Sequence, residues 1–180
     1  HQRIHRIEPF TVEEIKILQK TINNLYPHLE LEHRQLKQEQ LRLVFVLFYA
    51  CGLRLGEGYN LTPKDIDFNK RTLFIRQAKG YKDRIVPMSE NVYKALRHYI
   101  YNFRNQIRCG HDRLFVQKKI TLSVDLRYLH QQCNNEEIKR KRLHFHILRH
   151  SIATHLLQNG MSVENIARFL GHGCLESTQI

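Results

Sequence analysis

The stretch from residue 143 to residue 180 constrains the fold more than any other part of the chain. It contains two apolar patterns of helical period, LRHSIATHLL and VENIARFL, and each is followed closely by a glycine, Gly160 or Gly171. Glycine is common just past a helix end because it adopts the left-handed conformation without strain. Ser162 is placed to cap the second helix. The stretch therefore predicts two consecutive helices that bury their apolar sides against a core.

Histidine and arginine side chains stand at the start and at the end of this helix pair. His146 and Arg149 are three residues apart, so they share one face of the first helix. His172 directly follows the end of the second helix. Guanidinium and imidazole groups brought together in this way are suited to binding an anion.

The charge of the whole chain favours a polyanionic partner. Lys and Arg number 29 against 17 Asp and Glu, which gives a net charge of +12 and a pI near 9.8. Nucleic acid is the commonest such partner, and a basic protein without one is the alternative. The four cysteines are scattered, which favours a reduced, intracellular setting. No signal peptide or membrane-length apolar run is found, so we expect a cytoplasmic protein with no membrane contact.

An arginine follows the most apolar segment of the chain. The segment from Leu41 to Phe48 predicts a centrally buried helix that ends at Gly52, and the sequence continues as L-R-L-G-E. Because a buried guanidinium needs a partner, we expect Arg54 to pair with Glu57. The pair could be purely structural, or it could support an arginine whose other donors bind a phosphate. The motif alone leaves both interpretations open.

A β-hairpin with a cationic tip is predicted next. Residues 72–77 and 84–87 have strand character, and Gly80 lies in the turn between them. The hairpin carries Lys79, Lys82 and Arg84, which a solvated turn would also explain.

A second group of cations precedes the helix pair. Four consecutive cations repel one another unless a polyanion is near, so the run is a candidate contact to a nucleic-acid backbone. A solvated loop and a nuclear-import signal are the alternatives. The run consists of Lys139, Arg140, Lys141 and Arg142.

Other local signals complete a mainly α fold with a small antiparallel β-sheet (α+β). Thr11 and Glu14 form a capping box for a first helix that we expect to run to about Tyr26. Ser89 is placed to cap another helix. Residues 123–133 predict a further helix.

The histidines near the helix pair could suggest a metal site. His146 and His150 are four residues apart, but the glutamate of H-E-x-x-H is missing and no cysteine lies at ligand spacing. We therefore predict no metal, and we expect His150 and His155 to be packing or hydrogen-bonding residues of the helix.

Several of these motifs together resemble the tyrosine recombinases, the site-specific integrases of phages and transposons, including Xer-like proteins. H-x-L-R-H followed by L-G-H and S-T-Q-I is similar to their C-terminal signature. G-L-R-x-x-E resembles their first arginine motif, and K-G-x-K-x-R-x-V-P resembles their catalytic hairpin. Two departures are the Gly58-Tyr59 pair, where leucines are usual, and the absence of a tyrosine within the chain at the family's position, just after Ile180. The resemblance implies five catalytic residues: Arg54, Lys79, His146, Arg149 and His172.

The resemblance also implies a mechanism that needs no cofactor. A tyrosine attacks the phosphorus to leave a 3′-phosphotyrosine while the two arginines hold the phosphate and Lys79 protonates the leaving 5′ oxygen. Glu57 would support Arg54, and the roles of the two histidines stay open. The expected contacts to double-stranded DNA are Lys82, Arg84, Lys139, Arg140, Lys141 and Arg142.

The same resemblance predicts the organisation of the protein. Residues 10–180 would form a catalytic domain that lacks its C-terminal tyrosine segment. Residues 1–9 would be the end of a linker from a missing N-terminal DNA-binding domain. We expect self-association as a tetramer on DNA, in the bacterial cytoplasm beside the nucleoid. A type IB topoisomerase and a non-enzymatic helix-turn-helix module are the alternatives, although the module would leave Arg54 and Lys79 unexplained.

Overall fold

The computed structural model describes residues 7–77 and 82–171. In these ranges the chain is mainly helical with one small antiparallel sheet, which confirms the predicted fold class. None of the described helices is long and apolar enough to cross a membrane. The helices are α1 (Val12–Ile22), α2 (Leu31–Val44), α3 (Leu55–Tyr59), α4 (Glu90–Asn102), α5 (Lys119–Gln132), α6 (Glu136–Arg140), α7 (Phe145–Gln158) and α8 (Val163–Leu170). The strands are β1 (Ile66–Asp67), β2 (Thr72–Ile75) and β3 (Arg84–Pro87).

Helix α1 begins with the predicted capping box. The Thr11 hydroxyl accepts from the Glu14 N–H at 3.1 Å, and the Glu14 carboxylate accepts from the Thr11 N–H at 2.9 Å. The helix ends at Ile22 rather than near Tyr26. Tyr26 itself has a φ of +59°, a left-handed conformation that cannot continue a right-handed helix.

Helix α2 begins earlier than predicted and ends in a widened turn. It starts at Leu31, so the charged segment and the buried apolar segment form one helix. The backbone then widens into a π-helix over Phe45–Ala50, in which the Cys51 N–H donates to the Val46 carbonyl at 3.0 Å. Such turns are rare and often lie at functional sites. The path ends at Gly52, whose φ is +62°.

The sheet has the order β1-β2-β3 and is antiparallel throughout. Strand β3 has the predicted bounds, whereas β2 ends at Ile75, two residues earlier than expected. The pairing of Ile75 with Arg84 sets the register of this hairpin. Strand β1 was not predicted, because two residues are too few to show an alternating pattern.

Aromatic packing joins the widened turn to the helices around it. The Phe48 ring stacks on Phe115 with centroids 5.8 Å apart and meets Phe145 of α7 edge-on at 5.1 Å. A Cβ atom at Gly58 would lie 2.5 Å from the Phe48 ring. The departure from the usual leucine at this position is therefore a packing change that makes room for Phe48.

Candidate active site

Arg54 lies at the start of α3, where the chain leaves the buried π turn. The Glu57 carboxylate accepts from the Arg54 backbone N–H at 2.8 Å and from the Arg54 guanidinium at 3.3 Å. The predicted ion pair is therefore present. A second guanidinium nitrogen of Arg54 donates to the Gly171 carbonyl at 3.2 Å, which ties α3 to the end of α8.

Helix α7 carries His146 and Arg149 in contrasting surroundings. His144 caps this helix by accepting from the Ile147 N–H at 3.2 Å. His146 is exposed. Arg149 is 4% exposed, and its guanidinium donates to the Gly52 carbonyl at 2.6 Å and to the Leu170 carbonyl at 2.8 Å. Arg149 thus joins α7 to the end of the π turn and to the end of α8.

One cleft brings these three side chains together. It has a volume of about 410 Å³, and Arg54, His146 and Arg149 all line it. Leu53, Leu55 and Phe145 form apolar parts of its wall, and His144 completes it. Two arginines and a histidine that face one cleft can hold the non-bridging oxygens of a single phosphodiester and offset the charge that grows in its transition state.

Two of the predicted catalytic residues, Lys79 and His172, lie outside the described residues. The structure does describe the backbone next to each. Strand β2 and Arg76–Gln77 lead towards Lys79, and Gly171, with a φ of +73°, directly precedes His172. Their roles therefore stay predictions from the family resemblance.

Arg84 differs from the expectation of a DNA contact. Its side chain is only 8% exposed, and its guanidinium forms two hydrogen bonds with the Glu57 carboxylate, at 2.6 and 3.1 Å. The alternation of side chains along strand β3 could have predicted this burial. Side chains two apart on a strand share a face, so Arg84 points to the same side as the fully buried Val86.

The basic run before α7 is divided between two environments. Arg140 pairs with Glu8 at 2.8 Å and with Glu137 at 2.7 Å. Lys141 is 9% exposed and pairs with Glu14 at 2.6 Å. Lys141 therefore ties the end of α6 to the start of α1, a role that the sequence analysis missed, whereas the Arg140 pairs lie at the surface.

Four cations of the predicted DNA-binding set remain accessible, among them Arg140, whose side chain is 53% exposed. Lys82, Lys139 and Arg142 are all exposed. Arg142 also lines a second cavity, of about 280 Å³, which shares His144 with the active-site cleft. Because His144 lines both cavities, a ligand longer than one phosphate can contact the cleft and Arg142 together.

The remaining histidines of α7 have structural surroundings. His155 is 4% exposed and lies between the Phe10 carbonyl and the Tyr49 hydroxyl, each 2.7 Å away, which confirms the predicted hydrogen-bonding role. Burial lowers the pKa of His155, and the bond to Phe10 offsets part of this effect. Burial and the nearby His146 lower the pKa of His150. Within residues 7–77 and 82–171, no three His, Cys, Asp or Glu side chains are grouped so that they could hold a metal.

Three tyrosines, two of them buried and one half-buried, have hydroxyl groups with partners inside the fold. The Tyr26 hydroxyl donates to Asp125 at 2.7 Å, Tyr49 contacts His155, and Tyr99 donates to the Leu114 carbonyl. Burial raises the pKa of all three phenols. None of these three is placed to act as a nucleophile, because a phenol attacks only when it is exposed and activated by nearby cations.

Comparison with known proteins places this geometry in a family. The model of the phage integrase family matches residues 10–180. A tyrosine recombinase of Pseudothermotoga lettingae is 38% identical over 155 residues, which are 81% of this chain and 50% of that protein. The tyrosine recombinase XerC of Lacticaseibacillus casei is 33% identical over 98% of this chain and 58% of that protein.

A solved structure shows the same fold. The crystal structure of XerA recombinase matches with a TM-score of 0.79 and 28% identity, over 98% of this chain and 60% of that one. The chain thus spans between half and three-fifths of the length of the relatives it matches. With a family match over nearly its whole length and a cleft built from the family's motif residues, the chain belongs to the phage integrase family, that of the tyrosine recombinases.

Proposed function

We propose that this chain is the catalytic domain of a site-specific DNA recombinase that cuts and rejoins strands through a 3′-phosphotyrosine. The convergence of Arg54, His146 and Arg149 on one cleft carries the proposal. Residues 10–180 would form this domain. The net charge of +12 supports double-stranded DNA as the substrate, which would place the protein beside the bacterial nucleoid.

The arginines bind and orient the scissile phosphate in this proposal. Arg54 and Arg149 are each held by backbone carbonyls of the α8 end, so their positions are set before DNA arrives. Pre-organised donors stabilise developing charge without a cost of reorganisation at the moment of reaction. Two guanidinium groups in this cleft can thus replace a metal ion in this role.

The other proposed catalytic residues handle protons. His146 is exposed at the mouth of the cleft, where it can hydrogen-bond the phosphate or accept the proton of the attacking phenol. Lys79 would donate a proton to the leaving 5′ oxygen, and His172 would donate a hydrogen bond to a non-bridging oxygen. The phosphodiester energy is kept in the phosphotyrosine, so no nucleotide cofactor is consumed. Exchange between two sites would require a tetramer of the longer protein on DNA.

The test is adduct formation on a nicked suicide duplex that contains the element's recombination site. The longer protein with the family's tyrosine should form a detergent-stable adduct, and its Tyr→Phe variant should form none. The 180-residue chain should form none either, because none of its eight tyrosines follows the Leu-Gly-His motif at the family's distance. His146→Ala in the longer protein should slow adduct formation by about 10²-fold with DNA affinity kept, as expected for loss of a proton-transfer group.

Two outcomes would favour the alternative functions. Tight DNA binding by the longer protein with no adduct would indicate a non-enzymatic binding module. Equal adduct formation on a scrambled duplex, together with relaxation of any supercoiled plasmid, would indicate a topoisomerase. Dependence of the adduct on the recombination site supports a recombinase.

A further inference from the structure

Arg84 makes the shortest contact to the carboxylate that also holds Arg54. Its Nη1 lies 2.6 Å from Glu57 Oε2, and its Nη2 lies 3.1 Å from Oε1. Arg54 reaches the same Oε2 at 3.3 Å. A paired guanidinium–carboxylate contact fixes both distance and orientation, so Arg84 sets the position of the carboxylate to which Arg54 is bound.

Arg84 also packs against the second anchor of Arg54. Its Nε donates to the Phe169 carbonyl at 3.2 Å. A Cβ atom at Gly171 would lie 2.7 to 2.9 Å from the Arg84 side chain, so the two residues are in close contact. The Gly171 carbonyl in turn accepts from Arg54. Arg84 therefore contacts both described anchors of the Arg54 guanidinium: it is hydrogen-bonded to Glu57 and packed against Gly171.

The three arginines share the end of α8 among them. Arg84, Arg149 and Arg54 donate to three consecutive carbonyls, those of Phe169, Leu170 and Gly171. The C-terminal end of a helix carries partial negative charge, which favours nearby cations. This charge and the Glu57 carboxylate offset the repulsion between the guanidinium groups of Arg54 and Arg84.

Charge balance on Glu57 agrees with this arrangement. Burial by itself would raise the pKa of this carboxyl, but the hydrogen bonds from Arg84 and from the Arg54 backbone, with the charges of both guanidinium groups, lower it overall. Glu57 is therefore ionised, and one negative charge holds two positive ones. Arg84 is 8% exposed and Arg54 is 27% exposed, so the outer arginine faces the cleft while the inner one supports it.

We propose that Arg84 is a positioning residue for strand cleavage, which acts through Glu57 and Gly171 to aim Arg54 at the scissile phosphate without touching DNA. The inference rests on the proposed recombinase function. It replaces the expectation, drawn from the sequence, that Arg84 contacts the DNA backbone.

The first experiment separates the rate of cleavage from DNA affinity. In the longer protein with its tyrosine, Arg84→Gln should lower the single-turnover rate of adduct formation by about 10²-fold, the loss expected when a catalytic group is misplaced by about 1 Å. Arg84→Lys keeps one charged hydrogen bond, so its rate of adduct formation should fall by only about tenfold. The dissociation constant for the intact site should change by less than about twofold in both variants, because a residue that does not touch DNA neutralises no phosphate.

A matched control comes from Arg71, the turn residue directly before β2. Arg71 pairs with Glu90 of α4, and its side chain is 46% exposed. Arg71→Gln removes an arginine–glutamate pair outside the cleft, so its cleavage rate should equal that of the wild type. The melting temperature of each variant shows whether it is folded at the assay temperature. If Arg84→Gln is unfolded there, the cleavage rate of Arg84→Lys tests the proposal instead.

A double-mutant cycle tests the route through Glu57. If Arg84 acts through this carboxylate, Arg84→Gln should cost less than about threefold once Glu57→Gln is already present, since residues that act as one unit are strongly non-additive. Full multiplication of the two losses would overturn the proposal. The proposal would also be overturned if Arg84→Lys lost DNA affinity together with cleavage. A wild-type cleavage rate in folded Arg84→Gln or Arg84→Lys protein would overturn it as well. Absence of an adduct in the wild-type protein would instead refute the proposed function.

Discussion

Replacing Arg149 by alanine should lower the stability of the fold as well as abolish cleavage. The guanidinium donates to two carbonyls, at 2.6 and 2.8 Å, and is 4% exposed. Each buried carbonyl left without a donor costs about 1–3 kcal/mol. Water can reach the site through the cleft, so we expect a total loss of about 2–4 kcal/mol in the free energy of unfolding.

Urea denaturation followed by circular dichroism measures this loss directly. For a domain of this size a loss of 2–4 kcal/mol corresponds to a fall in melting temperature of about 5–15 °C. His146→Ala is the matched control, since His146 lies on the same helix and lines the same cleft but is exposed. Its stability should stay within about 0.5 kcal/mol of the wild type, as is usual for surface positions.

Equal stability of the two variants would refute the reasoning. It would mean that the carbonyls of Gly52 and Leu170 find other donors and that Arg149 does not join α7 to the end of α8. If the predicted difference is found, His146→Ala is the better probe of chemistry, because its loss of activity is not mixed with a loss of fold.

Two further predictions concern the surroundings of the site. Gly58→Ala should lower the free energy of unfolding in urea by about 1–3 kcal/mol, because the new Cβ would lie 2.5 Å from the Phe48 ring. The control is Gly56→Ala in the same helix, where the Cβ meets nothing within 4 Å, so this change should be neutral or slightly stabilising. Equal effects of the two changes would contradict the packing argument. The pKa of His155 is lowered in the folded protein. As pH falls through about 6.5, the unfolded chain therefore binds a proton at this residue before the folded protein does. The free energy of unfolding is thus highest above pH 6.5 and decreases below it. Melting temperatures between pH 7.5 and 5 should therefore fall less for His155→Gln than for the wild type, and parallel curves would show that His155 does not titrate in this way.

The local features of the site were predictable because their causes lie within a few residues along the chain. The Thr11 capping box, the Ser162 cap and the Arg54–Glu57 pair each join residues three positions apart. Glycine at the end of α8 and the spacing of His146 and Arg149 follow the period of the helix. Such signals identify the elements, and the family resemblance then predicts which of their side chains carry chemistry.

Which cations stay accessible to a partner was decided by tertiary packing. Arg84 and Glu57 are 27 residues apart, Lys141 and Glu14 are 127 apart, and Arg149 and Gly52 are 97 apart. A lysine or arginine has the same local pattern whether it lies in solvent or beside a distant carboxylate, so charge alone could not separate these cases. Burial separates them, because a cation removed from water must have a partner, and only the packing of α8, the hairpin and the N-terminal segment determines which cations are removed.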